Sequence, residues 1–126
     1  MQDLLDSMEG LPLVLRRILI ARSLREAAQP IAARMRETAP DDPETPGSRI
    51  RESIGISVTN RTAEGATAEI GPSKHGFPAI FAELGTPHQP ARPFIQPAFD
   101  QTQEHAYELL SEVLGEGIEE EFYKLK

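Results

Sequence analysis

Residues 50–72 read IRESIGISVTNRTAEGATAEIGP, and the alternation inside this stretch decides the fold. Ile54, Ile56 and Val58 alternate with Gly55 and Ser57, and the two-residue period returns in Ala66, Ala68 and Ile70. A period of two puts one set of side chains on one face of an extended strand. The segment between the runs holds Asn60 and Gly65, residue types that accept positive φ, so 53–71 reads as an antiparallel β-hairpin with a longer loop. Gly71-Pro72 and Gly76 close its second strand.

Working upstream, residues 39–49 read APDDPETPGSR, in which three prolines and a glycine forbid a regular element. Before this loop, Leu11, Leu15, Ile18, Ala21, Leu24, Ala28, Ile31 and Met35 recur every three or four residues, the spacing of one buried helical stripe. Arg16, Arg22, Arg25 and Arg36 fall mostly off it. Pro12 suits a first turn, whereas Pro30 removes an internal hydrogen bond and predicts a kink or break near Ala28-Gln29. Residues 2–9 read as a separate helical turn, split off by Gly10-Leu11-Pro12.

Downstream, Phe77, Ile80, Phe81 and Leu84 have helical spacing and predict a short helix ended by Gly85. Prolines at 87, 90, 93 and 97 then exclude an ordinary helix until Pro97, which can occupy a first turn. The last helix is predicted from about Pro97 to Tyr123, with Phe99, Ala106, Leu110, Val113 and Leu114 on its buried side and Gly115 and Gly117 weakening its end. The expected fold is α+β: a long kinked N-terminal helix, an antiparallel hairpin or small sheet, a short helix, and a C-terminal helix packed on the sheet. At 126 residues the chain fits one domain. Its parts are helix over 1–38, proline-rich loop over 39–52, hairpin over 53–71, short helix and second proline-rich loop over 77–96, and helix over 97–124.

Composition narrows the function classes. Without cysteine there are no disulfides, thiolate metal sites or thiol nucleophiles. No apolar run approaches the length that spans a bilayer, and the first residues are acidic, so the chain is read as soluble, made in a cytoplasm and free of membrane contact. Net charge is −7, and residues 100–126 supply most of it, with Lys124 and Lys126 set against eight acidic groups. That balance argues against gripping phosphates.

Chemistry-bearing patterns are sparse. His75, His88 and His105 lie in three separate segments, with no pair one helical turn apart. A metal-dependent hydrolase would need His75 and His88 to converge with Glu83. The serines lack nucleophile-elbow glycines, and no glycine-rich loop leads into a helix with a lysine. No catalytic, cofactor-binding or metal-ligating residue is assigned. A nucleic-acid-binding regulator would need a basic face, and Arg16, Arg17, Arg22 and Arg25 spread too widely round the first helix to form one groove-facing row.

The informative constellation is Glu83-Leu84-Gly85-Thr86 followed by Ala91-Arg92-Pro93-Phe94-Ile95-Gln96-Pro97-Ala98. Gly85 permits a turn closed to other residues, Thr86 can cap through its hydroxyl, and Arg92 can reach a carboxylate such as Glu83. Phe94, pinned between prolines, is the apolar plug of this loop.

These boxes, in this order, resemble the small tail-completion, or head-tail joining (neck), proteins of long-tailed bacteriophages and prophages. Matching positions are Ala39-Pro40, Thr45 and Gly47, Ile50, Ser53-Ile54, Glu83, Gly85-Thr86, Ala91, Pro93-Phe94 and Pro97-Ala98. Two positions depart: Pro46 stands between Thr45 and Gly47, and Leu84 stands where an aromatic is usual.

The resemblance implies a virion protein, not an enzyme, present in the host cytoplasm during assembly. It implies a homo-oligomeric ring, sixfold to match the tail tube, that completes the tail or joins it to the head, or caps the tube as a terminator. Partners would be further copies of itself, head-closure or adaptor proteins, and tail tube or terminator proteins. DNA would only pass through the lumen. On that reading Asp41, Asp42, Pro43, Glu44, Pro46 and His88 are candidate contacts with adjoining rings, because stiff loops lose little entropy on docking. Glu112, Glu116, Glu119 and Glu120 are candidate lumen residues, since like charge keeps DNA from sticking, or else a solvated helix face.

Overall fold

The computed structural model describes residues 6–40, 50–73, 83–85, 87, 90–91 and 93–125. Helix α1 spans Leu13–Thr38, the single turn α2 spans Ile50–Ser53, strand β1 spans Ile54–Thr59, strand β2 spans Thr67–Pro72, and helix α3 spans Ile95–Leu125. The strands form a two-stranded antiparallel sheet, and the C-terminal helix packs on it. The α+β architecture is therefore the one the sequence predicts, with α2 as an addition in front of β1. Of the predicted helix over 77–84, residues 77–82 lie outside the described residues. Glu83 and Leu84 are helical, and Gly85 stops the chain there with φ 79. A Cβ at Gly85 would also lie 2.8 Å from the Ala91 nitrogen, so only glycine fits. Among the described residues no helix is long and apolar enough to cross a membrane.

The chain divides into two compact units. The first comprises residues 1–28, 57–69 and 104–126. Its core is Met8, Leu11, Leu19, Leu114 and Ile118, with Ile20 and Phe122 packed against it. Residues 6–8 form the separate helical turn. Arg16 ties that turn to α1, donating to the carbonyls of Leu11 at 2.9 Å and Glu9 at 2.7 Å. At the hairpin tip Asn60 takes φ 52, and the Thr62 hydroxyl accepts the N–H groups of Glu64 and Gly65. A side chain that satisfies its neighbours' backbone in this way stabilises a loop too long for a two-residue turn.

The second unit comprises residues 29–56 and 70–103. Ile31, Ala32, Met35, Ala39, Ile50, Ile54, Phe94 and Ala98 are its buried residues. Two arginines stitch it. Arg36 donates to the Ile54 carbonyl at 2.9 Å, and Arg51 donates to the Arg36 carbonyl at 2.8 Å. Arg34 donates to Gln101 Oε1 at 2.7 Å and pairs with Glu37 at 2.9 Å.

Three sequence expectations are corrected. First, of the kink or break expected near Ala28-Gln29, the break does not occur, because α1 stays helical through Pro30. The carbonyl that Pro30 leaves without a donor belongs to Glu26, an exposed residue, and Ala27, Ala28, Ile31 and Ala32 are all buried around the proline, so packing holds the helix together. Second, the buried stripe of the first half of α1 is shifted. Leu19, Ser23 and Ala27 are buried, whereas Ile18 is 56% exposed. Third, Phe99 is exposed, and α3 continues past Gly115 and Gly117 to Leu125. Gly117 is buried, and a Cβ there would fall on Leu19 Cδ1 and lie 3.3 Å from Arg22 Nη2. The glycine lets two helices approach closely, a use separate from its low helix propensity.

Candidate functional site

The first ordered feature is the start of α3. A helix begins with N–H groups that have no intrahelical acceptor, and the usual remedy is a short polar side chain at the N-cap. Here the Ala98 N–H donates to the Phe94 carbonyl, which makes Phe94 the N-cap, and a phenyl ring accepts nothing. Glu83 takes over from eleven residues upstream. Its Oε2 accepts the N–H groups of Phe94 at 2.7 Å and Ile95 at 3.0 Å, and its Oε1 accepts that of Gln96 at 3.0 Å. The next residue is Pro97, which has no N–H, so the first four positions of α3 leave no orphan donor.

Burial pushes the Glu83 carboxyl up, but the backbone donors Ile95, Gln96 and Phe94 together outweigh it and hold the group below its ordinary value of 4.5. The positive end of the helix dipole acts in the same direction. Phe94 is 1% exposed. Glu83 thus caps α3 at the buried Phe94, one residue short of Pro97 in its reach, and Gly85 turns the chain two residues after it. Pro93 is exposed beside Phe94. Thr86 and Arg92 lie outside the described residues, and so does the expected Glu83–Arg92 pair. The sequence signal for the cap was present in Pro97, whose missing N–H marks a helix start, but charge alone directed attention to Arg92.

The second feature is the acidic row of α3. Glu104, Glu108, Glu112, Glu116 and Glu120 are all exposed, each four residues from the last, with Glu119 beside them. Five carboxylates four residues apart form a row about 24 Å long at 1.5 Å per residue, and the row slants round the helix by about 40° at each step. Neither the Arg34–Glu37 nor the Lys124–Glu121 ion pair involves this row. Like charges at this spacing repel.

The third feature was missed in the sequence. Val14, Ile18 and Ala21 of α1, with Arg17, Arg22 and Arg25 and with Arg61 from the hairpin tip, line an open groove of about 520 Å³ in the first unit. Val14 is 69% exposed. The arginines that spread round an isolated helix converge because Arg61 closes the groove from a second element, which periodicity along one helix does not reveal.

Of the residues expected to touch adjoining rings, Asp41, Asp42, Pro43, Glu44, Pro46 and His88 all lie outside the described residues, as does His75. His105 is exposed on α3. Among the described residues no three His, Cys, Asp or Glu side chains come together in a way that would hold a metal ion.

The arrangement offers a helix locked at its N-terminus, an acidic row and a basic-apolar groove, all of which suit contact between macromolecules. Comparison with known proteins points the same way. The family described as "Bacteriophage HK97-gp10, putative tail-component" matches residues 2–85, two thirds of the chain. The second box, residues 91–98, lies beyond that span. No curated protein and no solved structure matches the chain.

Proposed function

The chain belongs to the HK97-gp10-like family of bacteriophage tail components, and from that premise we propose that it is a ring-forming structural subunit of the neck. Six copies close round the axis of the tail, complete it or join it to the head, and let DNA pass through the opening. Assembly, not turnover, is the task of this chain. The supporting observation is the face of α1 on which Leu13, Val14 and Ile18 stand 61%, 69% and 56% exposed. Three large aliphatic side chains in six residues are a poor solvent face, and a neighbouring subunit covers them at a gain of about 25 cal/mol per Å². Head-to-tail contacts of one surface with a different surface close into a ring when the rotation closes.

The proline-rich segments 40–49 and 86–93 are the contacts offered to adjoining rings, because chain already stiffened by proline loses little freedom on docking. A structural role also accounts for Glu83, whose carboxylate is committed to three backbone donors. The test is the mass of the purified protein in solution together with electron microscopy of particles made without it. Unjoined heads beside finished tails are expected. Normally joined, infectious particles from the deletion would refute the reading.

A further inference from the structure

We infer that the exposed face of α1 in one copy seats in a second groove on the next copy, helix into groove, and that this contact joins neighbouring subunits. The inference rests on the ring reading and names the two surfaces that would build the ring. The face carries Val14, Ile18 and Ala21, at positions i, i+4 and i+7 of α1, the spacing with which an amphipathic helix lays its anchors in an apolar groove. Val14 and Ile18 are more than half exposed. At about 100° per residue, Arg17 and Arg22 stand about 70° to either side of this line, so each flank carries a cation.

The receiving groove measures about 460 Å³ and belongs, like the face, to the first unit of the chain. Ile20 and Leu24 of α1, Leu110 and Leu114 of α3, and Ala63 and Ala66 of the hairpin tip make its lining apolar. Its walls are fixed before anything docks. The Thr62 hydroxyl holds the tip through the N–H groups of Glu64 and Gly65, and Arg16 ties the carbonyls of Glu9 and Leu11 to α1. A preformed groove loses little freedom on binding.

Charge selects the occupant. Glu9 and Glu64, both exposed and from different segments, also line the groove, and Arg16 beside them gives its donors to backbone carbonyls. An apolar groove edged by glutamates is matched by an apolar line edged by arginines, and one chain carries both, so a second copy is the occupant. Pairing the α1 face with itself would instead bring together Arg17 and Arg22 of two copies.

The placement also suits closure. Residues 16, 20 and 24, the α1 wall of the groove, lie about 130° round the helix from residues 14, 18 and 21. One copy can therefore offer its face to one neighbour and its groove to another at the same time, as a head-to-tail ring requires.

The experiment is a complementation. The face variant carries Val14→Glu with Ile18→Glu, and the groove variant carries Ala63→Trp, which fills the groove from the hairpin tip. A second groove variant, Glu9→Arg with Glu64→Arg, changes exposed positions alone and replaces Ala63→Trp should that chain fail to fold. Sedimentation velocity gives mass against concentration, and a thermal melt by circular dichroism checks folding. Each variant alone is expected to need at least about tenfold more protein than the parent for half-assembly. Face and groove variants mixed should form a one-to-one dimer and nothing larger, because the mixture holds one intact face and one intact groove per pair.

A folded variant that assembles like the parent, or a mixture that forms no dimer, would overturn the contact and leave the ring standing. A parent chain that is monomeric at every concentration and within particles would remove the ring itself. A face variant that assembles normally yet leaves heads and tails unjoined would give this face to a different virion protein and refute the inference.

Discussion

Removing the Glu83 carboxylate tests whether one side chain, distant in sequence, starts α3. In Glu83→Ala three N–H groups lose their acceptor. Those of Phe94 and Ile95 are partly buried, and that of Gln96 is open to water, which replaces its bond. Two partly buried donors left unpaired cost about 1 kcal/mol each, and losing a negative charge at the helix start costs about 0.5 kcal/mol more. The sum, about 2.5 kcal/mol, is slightly above the upper end of measured N-cap losses, as befits a side chain that serves three donors. With an unfolding entropy of about 2.1 cal/mol/K per residue over 126 residues, the melting temperature should fall by about 9 °C.

Glu83→Gln keeps an acceptor but loses the charge, and should fall by about half as much. The pH dependence follows from the lowered carboxyl. A folded-state value below the unfolded one means that the contribution is complete above about 4.5 and is lost as pH drops through the folded value. The gap between parent and Glu83→Gln should therefore be full at pH 7 and narrow progressively below pH 4.5. Thermal melts followed by circular dichroism from pH 3 to 7 measure both quantities. Equal melting temperatures at pH 7, or a gap that stays constant down to pH 3, would show that the carboxylate does not cap the helix.

Two further substitutions probe packing in the first unit. Gly117→Ala should cost about 2 kcal/mol by urea unfolding because its methyl falls on Leu19, and adding Leu19→Ala should cost clearly less than the sum of the two single losses. Additivity within about 0.5 kcal/mol would mean that the two residues do not share space. Ser23 is fully buried and its hydroxyl has no hydrogen-bond partner, so Ser23→Ala should stabilise the protein by about 1 kcal/mol, a rise of about 4 °C. A loss of the same size would show that the hydroxyl is satisfied.

The hairpin was legible because strands report themselves in a two-residue alternation that needs no partner to be recognised. The extent of α3 was nearly legible, since proline punctuation marked its start within two residues. The phase of α1 was harder. Val14, Ile18 and Ala21 make a helical stripe as convincing as Leu15 and Leu19, and the residue that completes the true buried line, Ser23, is polar. Binary patterning therefore chose the wrong neighbour at 18 and 19. Gly117 reads as a helix breaker in one dimension, and its use appears only when Leu19 is seen against it. The Glu83 cap joins positions eleven to thirteen residues apart through backbone groups, which carry no letter in the sequence.

Pro30 leaves α1 with a missing rung at mid-length. Helices ordinarily fray from their ends, where amide groups reach solvent first, but this one has an interior end as well. Hydrogen exchange can enter there without disturbing either terminus, so the residues before and after the proline can be protected to different depths along one helix.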